Sequence, residues 1–221
     1  MFTRRSLLCS GASLLMPSLT QAASFGLELN LLFDCSGSMY TPAQHAATQL
    51  RGHLDAFTHD DIVGALIANR TVVRCVLWNT TALMVGTPVA ITSRASVNKL
   101  RELLETQVPI TEAGFGSGGT SHDVAVGFTL GLPRLASRCV IDVSTDEGVG
   151  IVDIIWTEIY KEKAEHLGIQ INAIIVGGSQ ADEQSLANYV CTRDGTLTAV
   201  ERWDQYADGL RRKLITEIAQ R

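Results

Sequence analysis

The sequence predicts an α/β fold built around a mostly parallel β-sheet. Short apolar or β-branched runs alternate with longer segments whose apolar residues recur at helical spacing, the pattern of strands joined by crossover helices. The 221 residues are 46% hydrophobic and 19% charged, which is typical of a globular domain large enough to bury a core. No repeat, low-complexity tract or linker interrupts the chain, so a single domain is expected.

The predicted strands follow from composition and from turn signals at their ends. The first is an apolar run that stops at Asp34, and the second is the β-branched run 71–78. The polar residues 79–81 favour a hairpin, so the next run is expected to pair with the second strand. In chain order, the predicted strands are 27–33, 71–78, 82–91, 139–144, 169–176 and 196–200.

The predicted helices follow from caps and from apolar spacing. Thr41 is expected to cap the first helix, with Pro42 at its first position and Gln44 completing a capping box. Leu100 and Leu104 belong to the apolar face of the third helix, because residues four apart lie on one side of a helix. In chain order, the predicted helices are 41–57, 58–68, 93–106, 121–136, 152–167, 182–190 and 203–219.

The first 22 residues have the features of an export signal. A modestly apolar stretch follows Arg4 and Arg5 and ends at the small-x-small cleavage pattern of Thr20-Gln21-Ala22. The arginine pair also resembles a twin-arginine signal, the class used by bacterial proteins that are exported after folding. An ordinary secretory signal or an uncleaved anchor is the alternative. We expect a periplasmic or secreted protein with residues 23–221 as its domain, and no transmembrane helix, because no run reaches 18 apolar residues.

The net negative charge of the chain argues against one class of partner, nucleic acids. The chain has a formal net charge of −5, and the part after the leader has 16 basic and 23 acidic residues, a net charge of −7. Nucleic-acid binders usually present a basic face. We therefore expect no nucleic-acid partner.

The cysteines do not identify a function. Four remain after the leader, in a compartment that permits disulfides: Cys35, Cys75, Cys139 and Cys191. Their wide spacing matches no zinc pattern, and the sequence selects no pairing among them.

Oxygen-bearing side chains occur in three of the predicted loops. Asp34, Ser36 and Ser38 end the first strand as Asp-x-Ser-x-Ser, Thr120 follows a glycine-rich loop, and Asp146 ends a later strand. In a parallel α/β sheet, such loops meet at the carboxyl edge of the strands. Carboxylates and hydroxyls are ligands for a hard cation, so the sequence predicts a site for Mg²⁺ or Mn²⁺ formed by these five residues.

This pattern resembles the metal-ion-dependent adhesion site of von Willebrand factor type A domains. The Asp-x-Ser-x-Ser motif, a threonine after Gly118-Gly119 and the dipeptide Thr145-Asp146 carry the resemblance. Further motifs are similar to an exported bacterial family of this type, known as a domain of unknown function (DUF1194); they are 27–29, 33–39, 118–121, 140–144 and 211–219.

The resemblance implies a three-layer, Rossmann-like fold with a mostly parallel sheet, one antiparallel edge strand and helices on both faces. It also implies that Ser36, Ser38 and Thr120 bind the ion through their hydroxyls, and that Asp34 and Asp146 bind it directly or through water. Such an ion is under-neutralised and keeps an open coordination position that suits an Asp or Glu of a protein partner. The expected function is therefore that of a non-enzymatic, exported binding domain.

A metal-dependent hydrolase is the main alternative function. The same ion could assist hydrolysis of a phosphoryl or acyl group, with Asp34 holding the ion and Glu147 as the one general base that the sequence offers. Glu147 also occupies a position where these domains commonly have glycine. It either adds a ligand to the ion or repels an incoming acidic group.

Structural roles are open for several of these residues. Ser36 and Ser38 could be turn residues, and Thr120 could cap the next helix with Asp123 completing a capping box. Asp142 lies inside a predicted strand and is expected to have a structural role.

Two other patterns point less clearly to a site. The glycines of 114–119 match G-x-G-x-x-G, but the dinucleotide fingerprint requires a strand directly before it, and here a predicted helix precedes the loop. The histidines His45, His53 and His122 match no metal-ligand spacing and are expected on the surface.

Overall fold

The computed structural model describes residues 25–40, 45–112, 115 and 118–219. The predicted leader and the capping signals at Thr41, Pro42 and Gln44 lie outside the described residues. The strands are β1 (Phe25–Asp34), β2 (Thr71–Trp78), β3 (Ala82–Met84), β4 (Val89–Ala90), β5 (Ala136–Thr145), β6 (Ile169–Val176) and β7 (Leu197–Val200). The helices are α1 (His45–Ala56), α2 (Asp60–Ala68), α3 (Arg94–Gln107), α4 (His122–Gly131), α5 (Ile154–His166), α6 (Gln180–Tyr189) and α7 (Tyr206–Ala219), with 3₁₀ turns at Gly37–Met39 and Trp203–Gln205.

The described strands form one sheet in the order β3-β2-β1-β5-β6-β7. The pairs from β2 to β7 along this order are parallel, whereas β3 and β4 both run antiparallel to β2 and share its outer edge. The single hairpin partner expected over 82–91 is therefore two short strands. Gly86 has a positive φ of 57° and Pro88 has no amide hydrogen to donate, so the segment cannot continue as one ladder.

Helices cover both faces of the sheet. Helices α1, α2, α3 and α7 pack on one face, where Leu29 and Leu31 of β1 point. Helices α4, α5 and α6 pack on the other face, together with Leu32. Alternate residues of a strand point to opposite faces, so the continuous apolar runs of the central strands fill both cores. This three-layer arrangement confirms the predicted fold class.

Two helix boundaries differ from the sequence prediction for local reasons. Helix α4 ends at Gly131 and not near Ala136, because Leu132 precedes Pro133 and adopts an extended backbone. Helix α6 begins two residues earlier than expected. Its N-cap is Ser179, which forms a capping box with Asp182.

Two of the histidines that were expected on the surface are buried. His122 lies in the core against the ring of Trp78, with a distance of 5.0 Å between ring centroids. His53 lies on α1, with its Nδ1 3.0 Å from the Gln49 carbonyl oxygen and its ring against Phe33. The expectation was wrong because the lack of a metal-ligand spacing says nothing about whether a histidine lies on the packed face of its helix.

Replacing His53 with phenylalanine is expected to weaken the pH dependence of stability. Burial lowers the pKa of His53 from its ordinary 6.5 to about 4, and the hydrogen bond to Gln49 opposes this only in part. Between these values the unfolded chain binds the proton and the folded chain does not, so stability falls as the pH falls. Between about pH 7.5 and about pH 5, His53 therefore lowers the free energy of unfolding by about 2 kcal/mol.

The measurement is urea unfolding of the wild type and of His53→Phe at both pH values. The difference in unfolding free energy between the two proteins should change by this amount in favour of the variant at low pH. His166→Gln, which alters an exposed histidine at the end of α5, serves as the matched control. A His53→Phe difference that stays constant with pH would contradict the prediction.

A buried cluster of charges joins α7 to the sheet. Lys213 of α7 donates a hydrogen bond to Asp142 of β5, and its Nζ lies 2.6 Å from Oε1 of Glu217. All three side chains are buried. Burial alone would lower the pKa of Lys213, but the two acids more than offset it, so the pKa lies above its ordinary value. Burial and the neighbouring Asp142 raise the pKa of Glu217 to about 8, so this acid largely keeps its proton at neutral pH.

A second buried ion pair joins the amino-terminal halves of β1 and β2. Arg74 of β2 binds Oε1 of Glu28 of β1 at 2.5 Å and also donates to the carbonyl oxygen of Pro133. The other carboxylate oxygen of Glu28 accepts a hydrogen bond from the Leu135 amide at 2.6 Å. These contacts fix the segment between α4 and β5 against the amino-terminal edge of the sheet.

The described residues include no helix that is long and apolar enough for a membrane span.

Candidate metal centre

Asp34 lies at the carboxyl end of β1, in the middle of the sheet, and its side chain is fully buried. Its Oδ1 accepts a hydrogen bond from the Ser36 amide at 2.8 Å, and its Oδ2 accepts one from the Thr145 hydroxyl at 2.7 Å. Its backbone is fixed by Gln49 of α1, whose side chain binds both the amide and the carbonyl of Asp34. Both carboxylate oxygens are therefore held in place from β5 and from the following turn.

Ser36, Ser38 and Asp146 continue this hydrogen-bonded group. The Ser36 and Ser38 hydroxyls lie 3.1 Å apart, and the Ser38 hydroxyl donates to Oδ1 of Asp146 at 3.0 Å. The serines are on the turn that leaves β1, and Asp146 follows the last residue of β5, the strand next to β1. The structure thus brings together four of the five predicted site residues at the carboxyl edge of the sheet.

Thr120, the fifth predicted residue, contacts the neighbour of Asp146 and not the four residues themselves. Its hydroxyl donates to Oε2 of Glu147 at 2.8 Å, next to Asp146. Thr120 is not the N-cap of α4, because that position belongs to Ser121. The Gly37 amide donates to the Gly118 carbonyl oxygen at 2.9 Å, which holds the Thr120 loop beside the serine turn.

Gly118 is required where the Thr120 loop crosses the loop after β2. A Cβ at this position would lie 2.9 Å from Cγ of Asn79 and 2.9 Å from Oγ1 of Thr80. Only glycine allows this close approach without movement of the neighbouring loop. Helix α3 and not a strand precedes the glycine-rich segment, so the requirement for a dinucleotide fingerprint is not met.

The two carboxyl groups of the cluster have a shared electrostatic environment. Burial raises the pKa of Asp34 to about 7; the Ser36 hydrogen bonds oppose this rise and the charge of Asp146 adds to it. Burial also raises the pKa of Asp146, opposed by the Ser38 hydrogen bond and increased by Glu147. Acidic groups that are close together and shielded from water favour a nearby positive charge.

Two neighbours of the cluster were not foreseen as parts of it. Thr145 belongs to the Thr-Asp motif but was not predicted as a site residue, yet its hydroxyl donates to Asp34 and also accepts the Glu147 amide hydrogen at 3.2 Å. His45 was expected to be an ordinary surface residue, but its Nδ1 lies 3.7 Å from Oδ2 of Asp146. Its ring stacks on Trp203 with 4.7 Å between centroids. The Thr-Asp order at the end of β5 was the one signal available for Thr145, and none pointed to His45.

The donor set suits a hard cation. Asp34 and Asp146 offer carboxylate oxygens, and Ser36, Ser38 and Thr120 offer hydroxyls, which are ligands of Mg²⁺ and Mn²⁺ and poor ligands for soft metals. In the part of the chain that the structure describes, no three or more His, Cys, Asp or Glu side chains are grouped so that they could hold a metal ion. A metal centre here therefore depends on the hydroxyls as well as on the carboxylates.

The described cysteines are free and buried, and none belongs to the cluster as a ligand. Cys35 lies between Asp34 and Ser36 but packs in the core, as its position in an apolar environment requires. Burial raises its pKa to about 12, so the thiol is not ionised at neutral pH.

Comparison with known proteins identifies the family. A family model described as "Protein of unknown function (DUF1194)" matches residues 24–221. The chain belongs to the DUF1194 family. A comparison with curated proteins gives no match.

Solved structures similar to this DUF1194 chain have the von Willebrand factor type A fold. A von Willebrand factor type A protein from Catenulispora acidiphila is 14% identical, with a TM-score of 0.63 over 90% of this chain and 44% of that one. Proximal thread matrix protein 1 from the mussel byssus, in a structure described as having a zinc-occupied MIDAS motif, is 13% identical, with a TM-score of 0.64 over 89% and 47%. BatB from Bacteroides thetaiotaomicron is 17% identical, with a TM-score of 0.53 over 88% and 99%.

These similarities establish the fold of the DUF1194 chain. The chain spans less than half the length of the first three matching structures. At such low identity, what those proteins bind does not transfer with the fold.

Proposed function

We propose that this DUF1194 protein is an exported, metal-dependent binding domain for a protein partner. In this proposal Mg²⁺ or Mn²⁺ is held by Asp34, Ser36, Ser38, Thr120 and Asp146, and it binds an Asp or Glu of the partner. The observation that supports it best is the hydrogen-bonded cluster in which Ser36 and Ser38 link the carboxyl groups of Asp34 and Asp146 at one edge of the sheet. The four residues of this cluster come from two separate loops, after β1 and after β5, so local turn formation alone does not account for their meeting.

The protein's part in binding is to hold the ligand side chains in place and to offer the ion only two carboxylates beside three neutral hydroxyls. Thr145 and the Ser36 amide hold the Asp34 carboxylate, and Ser38 holds that of Asp146. When bound, the ion would supply a positive charge with an open coordination position for an external carboxylate. Glu147, which accepts a hydrogen bond from Thr120, adds a negative charge next to one of the proposed ligands.

The comparisons support a metal-dependent site in general terms. One protein of the same fold is described with zinc in its MIDAS motif. Another, SpaC from Lactobacillus rhamnosus GG, is described as a pilus adhesin; it is 12% identical, with a TM-score of 0.63 over 88% of this chain and 31% of that one. The choice of Mg²⁺ or Mn²⁺, the acidic partner and export by the leader remain our proposal.

Addition of Mg²⁺ or Mn²⁺ to the chelated full chain is expected to raise its thermal unfolding midpoint. An ion that binds only the folded state stabilises it by about 2.7 kcal/mol at about 100 times the dissociation constant, which corresponds to roughly 5–10 °C. Asp34→Ala removes the central carboxylate and should abolish the rise. The measurement is the shift in midpoint that the ion causes in each protein, because Asp34→Ala also changes the midpoint without metal.

The matched control is Asp194→Ala, which removes an exposed carboxylate between α6 and β7 that is not part of the cluster. It should retain the wild-type shift. Equal shifts in the wild type and in Asp34→Ala would mean that the ion binds elsewhere, and the absence of any shift in the wild type would rule out the metal centre. Metal-dependent phosphoester hydrolysis that disappears in Asp34→Ala would replace the binding function with the hydrolase alternative.

A further inference from the structure

A row of large apolar side chains is exposed on α5 and on the turn before it. The row, called the α5 ridge below, consists of Ile151, Val152, Ile155, Trp156 and Ile159, which are 44–88% exposed. Five of the eight exposed large apolar side chains among the described residues thus fall within nine positions of the sequence. Single exposed apolar residues are normal, but a contiguous group of this kind marks an interaction surface.

In an ordinary surface helix the large apolar side chains face the core, whereas in α5 most of them face the solvent. Its fully buried side chains are the small Thr157 and Ala164. Its Tyr160 packs against α4, where a Cβ on Gly127 would lie 2.7 Å from the tyrosine ring. The core beneath α5 is therefore filled without the ridge. Since folding does not use these large apolar residues, they need a partner that covers them.

The size of the α5 ridge suits a second copy of the chain. At the observed exposure the five side chains present on the order of 500 Å² of apolar surface. Two copies that face each other would bury about 1,000 Å² through the ridges alone, the lower limit for a specific interface. The polar side chains around each ridge would add to this area.

The charges around the α5 ridge also suit self-association. Between residues 148 and 157 the one charged residue is Asp153, so the ridge brings little like charge together. The following turns of α5 carry both signs, with Glu158, Glu162 and Lys163 exposed. In a two-fold interface each patch meets its own copy, and a patch with both signs can pair where a uniformly acidic one would repel.

We propose that the α5 ridge is a two-fold interface through which two copies of this chain associate. The ridge lies on the face of the sheet covered by α4, α5 and α6, and it begins on the turn that follows Asp146 and Glu147. The inference does not depend on metal binding.

Sedimentation equilibrium of the full chain in chelator, over a dilution series, tests this interface. The wild type should have twice the 23.8 kDa mass of the chain at high concentration. Ile155→Glu places a carboxylate in the centre of the interface and should weaken the dimer at least about a hundredfold. Val152→Glu, outside the helix, should do the same and provides a second variant if Ile155→Glu fails to fold.

Leu83→Glu is the matched control, because Leu83 is an exposed apolar residue on β3, away from α5. It should dimerise like the wild type, and far-UV circular dichroism should show that every variant is folded. A wild type that stays monomeric at all concentrations overturns the proposal. A dimer that persists in folded Ile155→Glu and Val152→Glu, or one that Leu83→Glu disrupts equally, overturns the assignment to the α5 ridge.

Discussion

Replacing Lys213 with methionine is expected to lower the free energy of unfolding by about 3–5 kcal/mol. Methionine fills a similar volume, so little packing is lost. The variant leaves the Asp142 carboxylate buried beside Glu217 with no cation, and the free energy of the folded state rises because that charge is neither solvated nor paired.

The measurement is urea unfolding at neutral pH, followed by circular dichroism. Lys99→Met replaces an exposed lysine of α3 and should change stability by less than about 0.5 kcal/mol. Adding Asp142→Asn to Lys213→Met should recover part of the loss, since the uncompensated charge is then absent. A loss below about 1 kcal/mol in Lys213→Met would contradict the prediction, because it would show that Asp142 does not depend on Lys213 as a buried charge depends on its partner.

Replacing Arg74 with methionine is expected to have a comparable effect, about 3–5 kcal/mol, on the opposite face of the sheet. The variant removes the cation from the buried Glu28 carboxylate and the donor from the Pro133 carbonyl. The Leu135 amide still binds Glu28 but does not neutralise it. Strand β2 should therefore be held less firmly against β1 and the segment before β5.

A double-mutant cycle with Glu28→Gln separates the effect of the unpaired charge on stability from the effect of lost packing. Glutamine keeps an acceptor for the Leu135 amide, so the double variant should be more stable than Arg74→Met alone. The control is Arg94→Met, which breaks the exposed ion pair with Asp60 and should cost less than about 1 kcal/mol. Equal losses in Arg74→Met and Arg94→Met would show that burial does not strengthen the dependence on the partner.

Much of the fold could be predicted from the sequence because the central strands are continuous apolar runs. Strands β2 and β6 have the predicted bounds, and the alternation of strands and helices gave the parallel sheet. The edge of the sheet was less predictable, because Gly86 and Pro88 interrupt a run that otherwise has strand composition. The end of α4 was missed although Pro133 was a visible signal for it.

The candidate site was predictable as a set of residues but not as a network. The meeting of Asp34, Ser36, Ser38 and Asp146 follows from strand ends sharing one edge, a property of the fold class. The bonds from Thr145 and the approach of His45 depend on side-chain directions that no spacing rule specifies. The salt bridge of Asp142 with Lys213 joins residues 71 positions apart, so only the folded structure reveals it.

The burial of Lys213 has a consequence for how α7 can move. A buried ammonium group loses several kcal/mol of stabilisation when it is separated from its carboxylate without access to water. A shift of α7 along its axis that separates Lys213 from Asp142 is therefore opposed by this pair as well as by the apolar packing. The pair fixes the position of α7 along β5 at one point.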